Sequence, residues 1–106
     1  MFAEVVAPAR VVVEGWEAEA RHDWLALRAL EPGLASFAPS DALYGDALRL
    51  RAAWRIGSGE SARGVEALAL LDRVLPMSID PGDYVRRAHA AVVTGDGRIL
   101  SNVVLS

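Results

Sequence analysis

One spacing recurs along this chain of 106 residues. Gly15 is followed at offsets of +5, +9, +12 and +17 by Ala20, Trp24, Leu27 and Pro32, and Gly59 is followed at the same offsets by Gly64, Leu68, Leu71 and Pro76. A third copy opens at Gly95, with Leu100 and Val104 at the first two offsets. A small residue, a bulky apolar residue, an apolar residue and then proline suit a helix lying close against the helix before it. Self-similarity at a fixed spacing constrains the fold more than any single motif does. The expectation is an all-α chain of stacked antiparallel helix hairpins, offering a surface to another chain rather than a pocket for chemistry.

Composition narrows the chemistry. With 53% apolar residues the chain is too hydrophobic for disorder, and its low aromatic content favours closely packed helices over a β-sandwich. Cysteine is absent, which excludes disulfides, thiolate metal sites and a cysteine nucleophile. Lysine is absent too, so a phosphate loop ending in Gly-Lys-Ser/Thr and Schiff-base catalysis are ruled out. Arginine as the sole strong base fits the codon usage of a high-GC bacterial genome. A net charge of −3 argues against a nucleic-acid partner. The start Met1-Phe2-Ala3-Glu4 lacks the basic region of a secretory signal, and no apolar run approaches the ~20 residues a bilayer span needs. The expected location is cytoplasmic.

Periodicity places a helix from Trp16 to Leu30 or Glu31, closed by Pro32-Gly33, with a short helix opened by Pro8 ahead of it. Residues 33–40 read as a connection, Ser40 as the cap of a helix from Asp41 to Ile56, and Leu43, Ala47, Leu50 and Trp54 as its inward stripe. Gly57-Ser58-Gly59 stops that helix. Ser61 is expected to cap the next, Ala62 to Leu75, with Val65, Leu68, Leu71 and Leu75 inward and Arg63, Glu66 and Arg73 outward. Asp80 as cap and Pro81 at the first position begin a helix to Thr94, with Asp83 adding an acid to its first turn. Gly95-Asp96-Gly97 then turns the chain into Ile99 to Leu105.

With helices in those places, the pattern resembles the tetratricopeptide repeat. The resemblance rests on the glycine ruler and on a small residue seven positions before the glycine, Ala52 before Gly59 and Ala88 before Gly95. A bulky residue stands four positions earlier still, Leu48 and Tyr84, and Arg51 matches Arg87. Several features depart from the family pattern. Pro8 occupies the first unit's small position, the glycine spacings exceed the family norm, and Gly64 stands where alanine is usual. The resemblance implies a short right-handed superhelix with units at about 1–33, 40–77 and 80–106, the last incomplete.

It also implies a concave groove lined by the first helix of each unit. The positions carried over are Val5, Ala9 and Val12, then Arg49, Ala53 and Ile56, then Val85, Arg86, His89 and Val92. So apolar a lining suits an amphipathic helix or other apolar peptide, with Arg49 and Arg86 pairing acids at the rim. The competing reading of these residues is plain core. In the incomplete last unit, Ile99, Leu100, Val103, Val104 and Leu105 would form an association patch, either because the array continues or because two copies dimerise there.

No catalytic, cofactor or metal motif emerges. His22-Asp23 are adjacent and point apart on a helix, His89 has no partner histidine at ligand spacing, and Gly59 to Gly64 misses the nucleophile-elbow spacing. Trp24 and Trp54 fall on apolar stripes, while Trp16 is the expected exposed aromatic. The expected function is therefore a non-catalytic protein-interaction scaffold. The alternative is an α+β ligand-binding or sensor domain, with Val11-Val12-Val13 as a strand and Ala90 to Val104 as a hairpin, or the non-catalytic tail of a larger enzyme.

Overall fold

The computed structural model describes residues 2–95. They form helices α1 (Phe2–Ala20), α2 (Trp24–Ala29), α3 (Glu31–Ala35), α4 (Tyr44–Ser58), α5 (Ser61–Val74) and α6 (Pro81–Thr94), with a 3-10 turn at Leu75–Met77 after α5. The fold is all-α, and there is no strand among the described residues. The α+β alternative is overturned where it is visible. Val11 to Val13 lie inside α1 and Ala90 to Thr94 inside α6. Ile99 to Val104 lie outside the described residues.

Helix α4 is the spine. One side of it, Ala47, Leu50 and Trp54, packs against Val12 and Ala18 of α1, Leu27 of α2 and Leu34 of α3. Its other side, Leu48 and Ala52, packs against Ala67, Leu68, Leu71 and Val74 of α5 and Ala90 and Ala91 of α6. Of the stripe expected on α4, Ala47, Leu50 and Trp54 are buried and Leu43 is half-buried at the position before the helix, and a second stripe makes α4 apolar on two flanks. Helices buried between two layers need that pattern.

The C-terminal helices begin and end close to where the residues indicate. Asp80 caps α6, its Oδ1 accepting from the Gly82 N–H at 2.9 Å, and Pro81 takes the first position. Gly59 and Gly95 end α4 and α6 in the left-handed conformation, φ 72° and 71°, which glycine adopts without a Cβ penalty. The other caps differ from expectation. Ser40 does not cap α4, because a turn at residues 41–43 intervenes and Asp41 instead accepts from the Ala38 N–H at 2.8 Å. Ser61 is the first residue of α5 rather than its cap. Val65 is exposed on α5, and Gly64, Ala67 and Leu70 complete the inward face in its place.

The N-terminal half departs furthest. Gly15 is not a turn but an interior residue of α1, where a Cβ would lie 2.7 Å from Leu50 Cδ1. It lets α1 approach α4. The hairpin expected around Gly15 therefore lacks the geometry found at Gly59. Pro8 likewise lies within α1 rather than opening a helix. The real break comes at His22, with φ 55°. His22 N–H donates to Glu19 O at 3.0 Å and Asp23 N–H to Ala18 O at 2.9 Å, the paired bonds of a left-handed helix cap. Asp23 then caps α2, accepting from the Ala26 N–H at 3.1 Å. Pro32 and Gly33 do not end a helix. They belong to α3, proline sitting in its first turn.

Candidate interaction face

The groove residues divide into a bound set and a free set. Arg49 and Arg86 are bound. Asp83, in the first turn of α6, is 0% exposed, and a buried carboxylate must be compensated where it sits. Arg49 reaches it from α4, donating from Nε to Oδ1 at 2.8 Å and from Nη2 to Oδ2 at 3.0 Å. Arg86 Nη1 donates to Oδ1 at 2.9 Å, and the Ser78 hydroxyl donates to Oδ2. Arg49 Nη1 also pairs with Asp46 at 3.2 Å. The hydrogen bonds from Arg49 lead in holding the Asp83 carboxyl below its ordinary range, and Asp83 in turn raises the Arg49 guanidinium. Both arginines hold an acid within the chain, where the expectation gave them a partner's. The acid is supplied by this chain, and it fixes α6 against α4.

A second network ties α4 to α3 and α5. Glu31 accepts from Arg55 Nη1 at 2.8 Å and Nη2 at 3.1 Å, from Arg51 Nε at 2.9 Å and from Trp54 Nε1 at 3.1 Å. Arg55 Nε donates to Glu66 Oε1 at 2.9 Å, and Arg63 holds the same carboxylate. The Arg55 guanidinium lies 4.3 Å from the Trp54 ring centroid, a cation over an aromatic face. Burial pushes the Glu31 carboxyl up, but the bonds from Arg55, Trp54 and Arg51 outweigh it and leave the carboxyl below its ordinary value. Arg87 pairs with Asp72 of α5 at 2.8 Å.

The free set is on α6. Val85 is 54% exposed and Val92 60%, with His89 exposed between them. At i, i+4 and i+7 they share one stripe about 10 Å long. Ala53 is half-buried against the first core and Ile56 against the second. Of the first-unit groove positions, Val12 is core at 4% exposure, and Ala9 is exposed on α1. Val5 and the patch Ile99, Leu100, Val103, Val104 and Leu105 lie outside the side chains described. Trp16, expected to be exposed, is half-buried against the first core, as Trp24 is. His22 stacks on Trp24 at 5.3 Å.

Sequence reasoning missed the role of Asp83, taking it only as a charge favoured by the helix dipole. A signal existed. At the offset of 36 that relates Gly59 to Gly95, Asp83 aligns with Ala47, a core position. An acid at a core position calls for a buried cation. Likewise Arg51 and Arg55 are like charges one helical turn apart around Trp54, an arrangement that calls for a bridging acid.

Among the described residues no group of three or more histidine, aspartate or glutamate side chains is placed to hold a metal ion, and no helix is long and apolar enough to cross a membrane. Comparison with protein-family models, with curated proteins and with solved structures returns no match.

Proposed function

We propose that this chain is a non-catalytic protein-interaction module that holds an amphipathic helix of another protein against the Val85–His89–Val92 face of α6. The observation that carries the reading is a two-turn stripe of exposed side chains, two valines flanking His89, on a helix that the buried Asp83 and its arginine anchor to the spine. A rigid helix with an uncovered apolar face is suited to helix-in-groove recognition, where the partner supplies anchors at i, i+3, i+4 and i+7. The other exposed apolar side chains are weaker candidates. Leu25 stands alone on α2, and Met77 and Ile79 lie in a connection. With Arg49 and Arg86 already neutralised, recognition rests on apolar contact more than on charge.

Repeat architecture belongs to the same reading. It is supported by the shared left-handed ends of α4 and α6 and by Arg51 and Arg87, each of which pairs an acid on the preceding helix. Cytoplasmic residence, away from membrane and nucleic acid, completes the proposal.

Selection of helical peptides from a displayed random library tests it. Binders are expected to carry apolar residues at helical spacing, and Val85→Glu should weaken them at least tenfold with helicity and melting unchanged. Selected peptides that bind Val85→Glu and Val92→Glu as well as the parent chain would contradict it.

A further inference from the structure

Helices α4 and α6 correspond at an offset of 36, from Leu48/Tyr84 through Ala52/Ala88 and Ile56/Val92 to Gly59/Gly95. Their ends match, since Gly59 N–H donates to Ile56 O and Gly95 N–H to Val92 O, both at 3.1 Å. Their backs match as well, with Arg51 on Glu31 at 2.9 Å and Arg87 on Asp72 at 2.8 Å. The remaining face is where they differ. On α4, Leu48 is 1% exposed and Ala52 0%, covered by α5, into which the chain passes directly after Gly59. On α6, Tyr84 is 57% exposed, and Ala88 lies one turn further along the same face.

The residues that follow Gly95 are apolar at three offsets where α5 is buried, the first of them held in α5 by Gly64, which lies against Thr94 and Ala90 of α6. From Gly59, the buried residues Gly64, Ala67 and Leu68 stand at +5, +8 and +9. From Gly95, Leu100, Val103 and Val104 stand at those three offsets. We infer that the Tyr84–Ala88 face of α6 is a docking face for the chain's own Leu100–Val104 segment, seated there as α5 is seated on Leu48 and Ala52. A tether of a few residues gives the segment an effective concentration in the millimolar range, which favours it over a second copy or a free protein. Val92 then becomes half-buried at the edge of the segment, as Ile56 is against α5. Val85 and His89 stay open for a partner, so a binding defect of Val85→Glu tests the proposed function apart from this inference.

Nuclear Overhauser spectroscopy of the full chain at low micromolar concentration tests it without a variant. Cross-peaks are expected between the Tyr84 ring and the methyl groups of Leu100 and Val104, and they should vanish in an isotope-filtered mixture of labelled and unlabelled chains. Cross-peaks only in that mixture would assign the face to a second copy and overturn the inference, as would no cross-peak at all. In support, Leu100→Asp should speed amide exchange over Tyr84–Val92 on the order of tenfold while leaving α4 unchanged. Exchange unaltered over Tyr84–Val92 would count against the inference.

Discussion

Arg49 and Asp83, 34 residues apart, join α4 to α6 through two parallel hydrogen bonds of 2.8 and 3.0 Å. Bidentate pairing fixes direction as well as distance, so it sets how α6 lies on the spine. The pair is asymmetric. Asp83 is wholly buried while the Arg49 side chain keeps 21% of its exposure, so the carboxylate has lost its water and the guanidinium has not.

Removing the carboxylate should therefore be costly. Asp83→Ala leaves Arg49 and Arg86 facing one another without their acid, and loss of one partner from a buried pair costs about 3 kcal/mol. In a domain this size that lowers the melting temperature by roughly 15 °C. Calorimetry checks it. Asp46→Ala, which removes only the more exposed partner of Arg49, should cost less than about 1 kcal/mol.

Acid should act on the same groups. Asp83, Glu31 and Glu66 all have carboxyls below their ordinary values in the folded chain: Asp83 chiefly through Arg49, Glu66 chiefly through Arg63, and Glu31 through Arg55, Trp54 and Arg51 against the opposing effect of burial. A depressed native carboxyl stabilises the fold above the unfolded value and stops doing so as pH falls through the native one. Stability should thus begin to fall near the ordinary values of 4.5 and 3.8 and keep falling below them. Urea midpoints measured from pH 6 downward read this, and in Asp83→Asn the decline should be shallower.

Close packing of α5 on α6 requires glycine at position 64, and a substitution tests that. A Cβ there would lie 2.9 Å from the Thr94 backbone nitrogen and 3.1 Å from Ala90 O, so alanine would push α5 off α6. Glycine to alanine inside a helix ordinarily gains up to about 1 kcal/mol. Here Gly64→Ala should lose about 1–3 kcal/mol, the usual cost of overpacking. At Gly15 the nearest atom is Leu50 Cδ1, the tip of a side chain able to turn aside, so Gly15→Ala should cost less than Gly64→Ala. Denaturant titration of the two variants decides the order.

Glu31 predicts a local effect. It accepts from Arg51, Trp54 and Arg55 together, so Glu31→Ala leaves the indole N–H and two guanidiniums without their shared acceptor. A loss of about 2–3 kcal/mol is expected, since hydrogen bonds to a charged group are worth more than neutral ones. The Trp54 indole N–H resonance should also move. Glu31→Gln, which keeps an acceptor oxygen, should recover part of the loss.

These networks mark the boundary of what the residues disclosed in advance. Helices α4, α5 and α6 were legible because their signals are local: Asp80-Pro81 at a start, left-handed glycines at two ends, and four apolar residues stepping by helical turns along α4. The break between α1 and α2 was not, because His22 occupies a left-handed position that glycine usually marks. Gly15 misled in the opposite sense. It looks like a turn in the chain and serves as a notch for Leu50, a contact visible only after α1 and α4 cross. In the candidate groove, Val85, His89 and Val92 are exposed on α6, as their expected role requires. Arg49 and Arg86 were assigned to a partner because their true partner, Asp83, lies on another helix or one turn away. The trace the pairing leaves is indirect, an acid standing at the core register of Ala47.

The most direct test is a nuclear magnetic resonance titration of the labelled chain with a helical peptide selected to bind it. The account predicts shift changes concentrated at Val85, His89 and Val92, with the Arg49 and Asp83 signals holding their ion-paired positions. Changes clustered around Leu25 or Met77–Ile79 instead, with α6 silent, would contradict it.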